Sequence, residues 1–164
     1  MTHLIRTTAL VASLATAAGA STLVQDIEVT ADVSALQNRE AVAVWSDLET
    51  DLETAIAAEL VNQIAPEDAE EAAEIEIEID TVALASWLDT EMGIADSTLV
   101  GDVKIDMPGT QDDQRYTLTV SAEQATVYYP EGTNVTVLNA TSGEFYTAMV
   151  DAFAHNVAEK LQEN

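Results

Sequence analysis

Between Glu74 and Asp80 the chain alternates without exception, with Ile75, Ile77 and Ile79 standing between Glu74, Glu76, Glu78 and Asp80. A period of two puts every isoleucine on one face and every carboxylate on the other, the signature of a half-buried strand. A helix would scatter both sets around its circumference. Any fold of this chain therefore contains a sheet with one apolar face and one wet, acidic face. Val82 and Leu84 continue the strand in the opposite phase, so a β-bulge near Asp80 and Thr81 is expected to restore the facing.

The rest of the chain supplies partners for that strand. Ile27, Val29, Ala31 and Val33 alternate with Glu28, Thr30 and Asp32, a second half-buried strand. Ser34 or Asn38 is placed to cap a helix that runs to about Ile64, short of Pro66. Its apolar stripe is Trp45, Leu48, Leu52, Ile56 and Leu60, at spacings of three or four. Leu99 to Met107 reads as a third strand with Val103, Ile105 and Met107 inward. Arg115 to Tyr129 reads as a long fourth strand with Tyr116, Leu118 and Val120 inward and a phase slip between Ala122 and Val127. A short strand is expected at Val135 to Leu138. Thr141-Ser142-Gly143-Glu144 reads as a capping box opening a last helix, whose stripe is Tyr146, Met149, Phe153, Val157 and Leu161.

The element order is thus β-α-β-β-β-α, and two one-sided helices cover one face of a four-stranded sheet. The expected fold is α+β: a two-layer sandwich with a mostly antiparallel sheet and both helices on one face. The open face would carry Glu28, Asp32, Glu74, Glu76, Glu78, Asp102, Asp106 and Glu123 among threonines. This order resembles small accessory domains of the bacterial cell envelope, an analogy of fold alone.

The first twenty residues read differently. Arg6 precedes an apolar stretch from Ala9 to Ala18, followed by Ala18-Gly19-Ala20, the layout of a secretory signal with cleavage near Ala20. The apolar stretch is about half the ~20 residues needed to span a bilayer. Residues 21–164 are then one acidic α+β domain, periplasmic or secreted, with no transmembrane segment expected in the mature chain. Removing the leader takes away Arg6 and no acid, leaving 30 Asp and Glu against 4 Lys and Arg. With Arg39, Lys104, Arg115 and Lys160 as its only fixed cations, such a domain is a poor match for nucleic acid or anionic lipid. Cations and basic proteins suit it electrostatically. Adaptation to a saline, halophilic or marine surrounding, where screening weakens carboxylate repulsion, is the plain alternative reason for the acidity.

The inventory of reactive groups is thin. No cysteine is present, so disulfides, thiol catalysis and thiolate metal sites are excluded. His155 is the one histidine left after His3 departs with the leader, and no G-x-S-x-G elbow offers a nucleophilic serine. Asp151 and His155, at i,i+4, read as a surface pair. Asn134-Val135-Thr136 and Asn139-Ala140-Thr141 match a glycosylation acceptor that is too short to be specific. An Asp-Leu-Glu-Thr tetrapeptide occurs twice in succession, at 47–50 and 51–54. On a helix it stacks Asp47 over Asp51 and Glu49 over Glu53, each pair costing roughly 0.2–0.5 kcal/mol. Glu49 leans toward the apolar stripe.

Two features remain as candidate sites. Trp87, Leu88, Met92 and Ile94 crowd a connection where polar turn residues are expected, and form a candidate contact patch for a protein partner, unidentified and basic. Glu76, Glu78, Asp80, Asp102 and Asp106 share one sheet face and form a candidate calcium (Ca2+) site, provided at least three converge on one point. The first expectation is a non-enzymatic exported domain, an envelope accessory or adaptor acting through protein contacts. The alternative is a low-affinity divalent-cation binder. A hydrolytic enzyme ranks last, because no histidine pair, thiol or cofactor motif is present.

Overall fold

The computed structural model describes residues 22–33, 36, 39–66, 69, 71–84, 94 and 96–163. Its strands are β1 (Val24–Ala31), β2 (Ala73–Ala83), β3 (Thr98–Asp106) and β4 (Gln114–Ser121). Its helices are α1 (Arg39–Val44), α2 (Leu48–Glu59) and α3 (Gly143–Gln162). The strands form one sheet in the order β1-β2-β3-β4. β1 and β2 run parallel, while β2–β3 and β3–β4 are antiparallel. The expected two-layer α+β sandwich is what forms, with a mixed sheet.

Alternation in β2 is realised residue by residue: Ile75, Ile77 and Ile79 are buried, and Glu74, Glu76, Glu78 and Asp80 are exposed. The register between β2 and β3 shifts between Ile79 and Thr81, the bulge that the phase slip required. On the helix side, α2 lies over β1 and α3 lies over β3 and β4, with the two helices packed together. Gly101 marks the closest approach. A Cβ built there would stand 2.9 Å from Ile79 Cδ1 and 3.2 Å from Phe153 Cζ, so glycine lets α3 descend onto the sheet.

The single long first helix is in fact two. Trp45 at its middle keeps the N–H bond to Ala41 O (2.9 Å), but Ser46 Oγ donates back to Ala43 O (3.1 Å) and Asp47 stands outside helical geometry. A serine bonding to a preceding carbonyl competes with helix continuation. The apolar stripe survives the break: Ala41, Trp45, Leu48, Leu52, Ile56 and Leu60 are all buried, which is why a periodicity reading sees one helix. The expected last turn also departs. Gln63 O accepts from Val24 N–H (2.8 Å), and Ala65 N–H donates to Val24 O (2.8 Å), so residues 63–65 leave the helix and line the start of β1.

The second half of the long fourth strand is corrected as well. β4 ends at Ser121, where Gln124 Oε1 accepts the Ser121 N–H (2.8 Å), and Gln124–Tyr128 curls into a 3₁₀ turn against α3. Val135–Val137 is a 3₁₀ turn and not a strand. Both Asn-x-Thr triplets close the same local turn. Asn134 Oδ1 accepts from the Thr136 N–H and hydroxyl, and Asn139 Oδ1 accepts from the Thr141 N–H and hydroxyl. That turn consumes Thr141, so the capping box does not form; Ser142 is the N-cap, and its Oγ accepts from Asn139 N–H instead. Along α3 the expected stripe is buried, and so are Phe145, Ala148, Val150, Ala152, Ala154 and Ala158. Small alanines let α2, the sheet and the Gln124–Tyr128 turn crowd this helix from several sides.

Candidate functional site

The face of the sheet turned away from the described helices is organised in cross-strand rows. Glu28, Glu76, Lys104 and Arg115 are successive partners across all four strands. One row along, Thr30, Glu78, Asp102 and Thr117 line up. In the other direction Asp26, Glu74 and Asp106 do so. Glu28 faces Glu76, Glu78 faces Asp102 and Glu74 faces Asp106, like charges directly opposite that destabilise a sheet unless compensated. Part of the compensation is local. Lys104 Nζ donates to Glu76 Oε2 at 2.9 Å and to Asp106 Oδ2 at 2.7 Å, and these carboxylates, Asp106 foremost, hold its pKa above the usual lysine value. Thr117 donates its hydroxyl to Asp102 Oδ1 (2.6 Å), and Gln25 its amide to Glu74 Oε1 (2.6 Å). A shallow hollow of about 450 Å³ lies over the centre of this face, between Glu28, Glu78, Asp102 and Arg115.

The five carboxylates expected to hold calcium are all described, and they do not assemble. Lys104 stands between Glu76 and Asp106, Asp80 is the unpaired residue of the bulge, and of these acids Glu78 faces only Asp102. Among the described residues no three Asp, Glu or His side chains are grouped to hold a metal ion. The convergence that a calcium site demands is therefore not met here. Lys104 stands among the acids because the alternation that turns Val103 and Ile105 inward turns Lys104 outward. Of the other residues expected on this face, Glu123 lies beyond the end of β4 in the turn that follows.

Within the candidate partner patch, Trp87, Leu88 and Met92 lie outside the described residues. Ile94 is described and its part is corrected: it is 9% exposed and belongs to the core. The turn closed by Ser97 N–H on Ile94 O (2.9 Å) folds it inward just before β3.

The helix layer holds the remaining titratable groups. His155 does not pair with Asp151; its Nδ1 is 3.3 Å from Glu59 Oε2 on α2, and its ring lies 5.9 Å from that of Tyr128. Partial burial, followed by the Glu59 charge, raises the Asp151 carboxyl above its usual pKa. Neither the hollow over the sheet face nor a second one between β1 and α2 is lined by Asp151, His155 or Glu49. Glu49 and Glu53 instead reach the outer edge of β1, where Glu49 Oε1 accepts from Ala31 N–H (2.8 Å) and Glu53 Oε1 from Val29 N–H (3.2 Å). Asp51 accepts from Tyr146 Oη at 2.5 Å. The repeated tetrapeptide thus points three of its four acids at separate donors on two neighbouring elements.

All four tyrosines hold their protons more tightly than usual. Burial pushes Tyr116 up to about 12. Tyr146 is raised by burial and then by Asp51, Tyr128 by burial and then Glu59, and Tyr129 by burial. The Tyr116 and Tyr129 hydroxyls are buried with no partner among the described residues. A phenol whose folded pKa exceeds the unfolded value of ~10 contributes stability that is fully present below that pH and lost as pH rises through the folded pKa. Denaturant midpoints are therefore expected to hold up to about pH 10 and fall from there to about pH 12, with tyrosinate absorbance rising late. Absorbance rising at ordinary phenol pH in the folded protein would contradict these burials.

No family model and no curated protein matches the chain. Among solved structures, one described as an "uncharacterized protein" aligns with 87% of this chain and 89% of its own at 10% identity and a TM-score of 0.42. Another, described as a "putative lipoprotein" from Caulobacter crescentus CB15, aligns with 84% of this chain and 88% of its own at 12% identity and a TM-score of 0.35. Neither description names an enzymatic activity. Likeness at this level carries no functional weight. Among the described residues no helix is long and apolar enough to cross a membrane.

Proposed function

We propose that this protein is a non-enzymatic, exported acidic domain that serves as an envelope accessory or adaptor by docking a basic protein, and that the open sheet face is its contact surface. The observation that carries the reading is the set of directly opposed carboxylates on that face, of which Lys104 neutralises only part. A fold that tolerates Glu28 against Glu76 and Glu78 against Asp102 gains most from a partner that brings positive charge to them. Export rests on the leader, with Arg6, the apolar stretch and Ala18-Gly19-Ala20 as its signals.

Photo-crosslinking from position 78 in living cells, with position 127 on the exposed 3₁₀ turn as the control, tests the reading. A basic protein captured at 78 and lost in the Glu28→Lys, Asp102→Lys double variant is the expected result. Capture that ignores this charge reversal, or no capture beyond the control, overturns it. N-terminal sequencing of the recovered protein should begin at Ser21; a chain retained in the cytoplasm with Met1 refutes export. Calcium is the rival occupant of the same face. A melting curve raised by calcium chloride beyond sodium chloride of equal ionic strength would replace the protein partner with a divalent ion.

A further inference from the structure

The two edges of the sheet are treated in opposite ways. On β1 the outward N–H groups are occupied. Val24 pairs with Gln63 and Ala65, while the N–H groups of Ile27, Val29 and Ala31 meet the carboxylates of Asp26, Glu53 and Glu49. On β4 they meet no partner among the described residues. The Ala122 N–H to Ser97 O bond (3.0 Å) fixes which residues turn their backbone toward β3, and the unbroken register carries that alternation back along the strand. Tyr116, Leu118 and Val120 therefore bond to β3, and Arg115, Thr117 and Thr119 direct N–H and C=O outward. Among the described residues only Ser121, at the end, has its outward N–H covered, by Gln124. β4 is also the one strand of the sheet without a carboxylate; its single charge is Arg115.

From this we infer that β4 is a strand-addition edge and that its occupant is the β4 of a second copy, joined antiparallel about a two-fold axis at Thr117. The strand is self-complementary in that register. Thr117 faces its counterpart and Arg115 faces the other copy's Thr119, so the outward N–H and C=O groups of both strands exchange hydrogen bonds. On the helix side, half-buried Tyr116 comes opposite the other copy's Leu118 in a non-hydrogen-bonded pair, where side chains approach most closely. No like charges fall opposite each other. An isologous contact of this kind closes at two copies, and β1, guarded by its carboxylates, cannot extend the sheet further. Between two copies that each carry a large negative charge, β4 offers the approach with the least repulsion. The open acidic faces of the two copies become one continuous surface.

Long-range repulsion between the copies makes the association salt-dependent, because the screening length falls from about 10 Å at 0.1 M to about 3 Å at 1 M salt. Sedimentation equilibrium of the purified protein over a sodium chloride series is expected to show monomer giving way to dimer, and no higher species. Thr119→Pro removes an outward N–H at an edge position where proline is tolerated, and should leave a folded monomer at every salt concentration. The direction of the register is read by charge at the same site. Thr119→Asp, opposite Arg115 of the second copy, should tighten the dimer about tenfold through two symmetry-related pairs, and Thr119→Lys should loosen it by a similar factor. A protein that stays monomeric through 1 M salt overturns the inference. So does a dimer that survives Thr119→Pro with the variant folded by circular dichroism. Should Thr119→Pro fail to fold, equal dimerisation of the Asp and Lys variants overturns the register.

Discussion

Replacing Trp45 by alanine is expected to cost about 3–5 kcal/mol of stability, the range for deleting a buried large aromatic side chain, and so to remove a large part of the margin of a domain this size. Trp45 is fully buried at the break between α1 and α2. Its ring packs edge-on against Tyr146 at 5.1 Å and tilted against Phe145 at 6.2 Å. Its indole N–H donates to Ala140 O at 3.1 Å, which ties the approach to α3 to the opposite side of the helix layer. Alanine leaves a cavity where three elements meet and strands that carbonyl. Urea unfolding followed by circular dichroism gives the number, and a loss under about 1 kcal/mol would show that the site collapses freely and that Trp45 is not a cornerstone of the core. Trp45→Phe, which keeps most of the volume and loses the N–H, should recover most but not all of the difference.

The second large effect concerns the carboxylates that guard β1. Each of Glu49 and Glu53 accepts a backbone N–H, and hydrogen bonds to charged groups contribute about 1.5–3 kcal/mol each. The Glu49–Glu53 pair, stacked on one helix face, gives back roughly 0.2–0.5 kcal/mol of repulsion when removed. Half-buried Ala31 can turn to water more readily than Val29, which is buried. The Glu49→Ala, Glu53→Ala double variant should therefore lose about 2–3 kcal/mol net. Glu53→Ala alone should cost more than Glu49→Ala. The double variant should also lose hydrogen-exchange protection at Val29 and Ala31 and aggregate through the freed edge. Unchanged protection at those two amides would show that the carboxylates merely lie near the edge.

These acids also show where a sequence reading stops. The tetrapeptide repeat at 47–54 is visible in the chain, and so is the cost of stacking its charges, but the donors that repay the cost lie on β1 and α3. Nothing local to 47–54 announces them. The alternation of β2 survives intact because a period of two depends only on neighbours in sequence, and the bulge at Asp80 follows from the same pattern. Lys104 was equally legible on the open face, since it alternates with Val103 and Ile105. Its pairing with both Glu76 and Asp106 was not, because that depends on the β2–β3 register.

The misread segments share a cause. Val127, Val135 and Val137 suggested strand by composition, yet they are exposed on 3₁₀ turns. In them, local bonds such as Gln124 to Ser121 and Thr136 to Asn134 compete successfully with pairing. Residues 63–65 left their helix because Val24 offered better-placed partners, and Ser46 broke it because its hydroxyl and the Trp45 indole both had other carbonyls to reach. In each case a tertiary or short-range side-chain bond overrode a periodicity that stayed unchanged.

Spacing along the chain is enough to place the cores of the four strands and the buried stripes of the helices, and with them the two-layer sandwich. Burial of apolar surface is read from spacing, and spacing is a local property. Only the tertiary structure decided which strands are neighbours and in what register, and therefore which carboxylates face one another across the sheet, which of them Lys104 bridges, and why β1 is guarded while β4 lies open. Charges act across strands that are far apart in the chain, so their balance exists only once the sheet has brought them together.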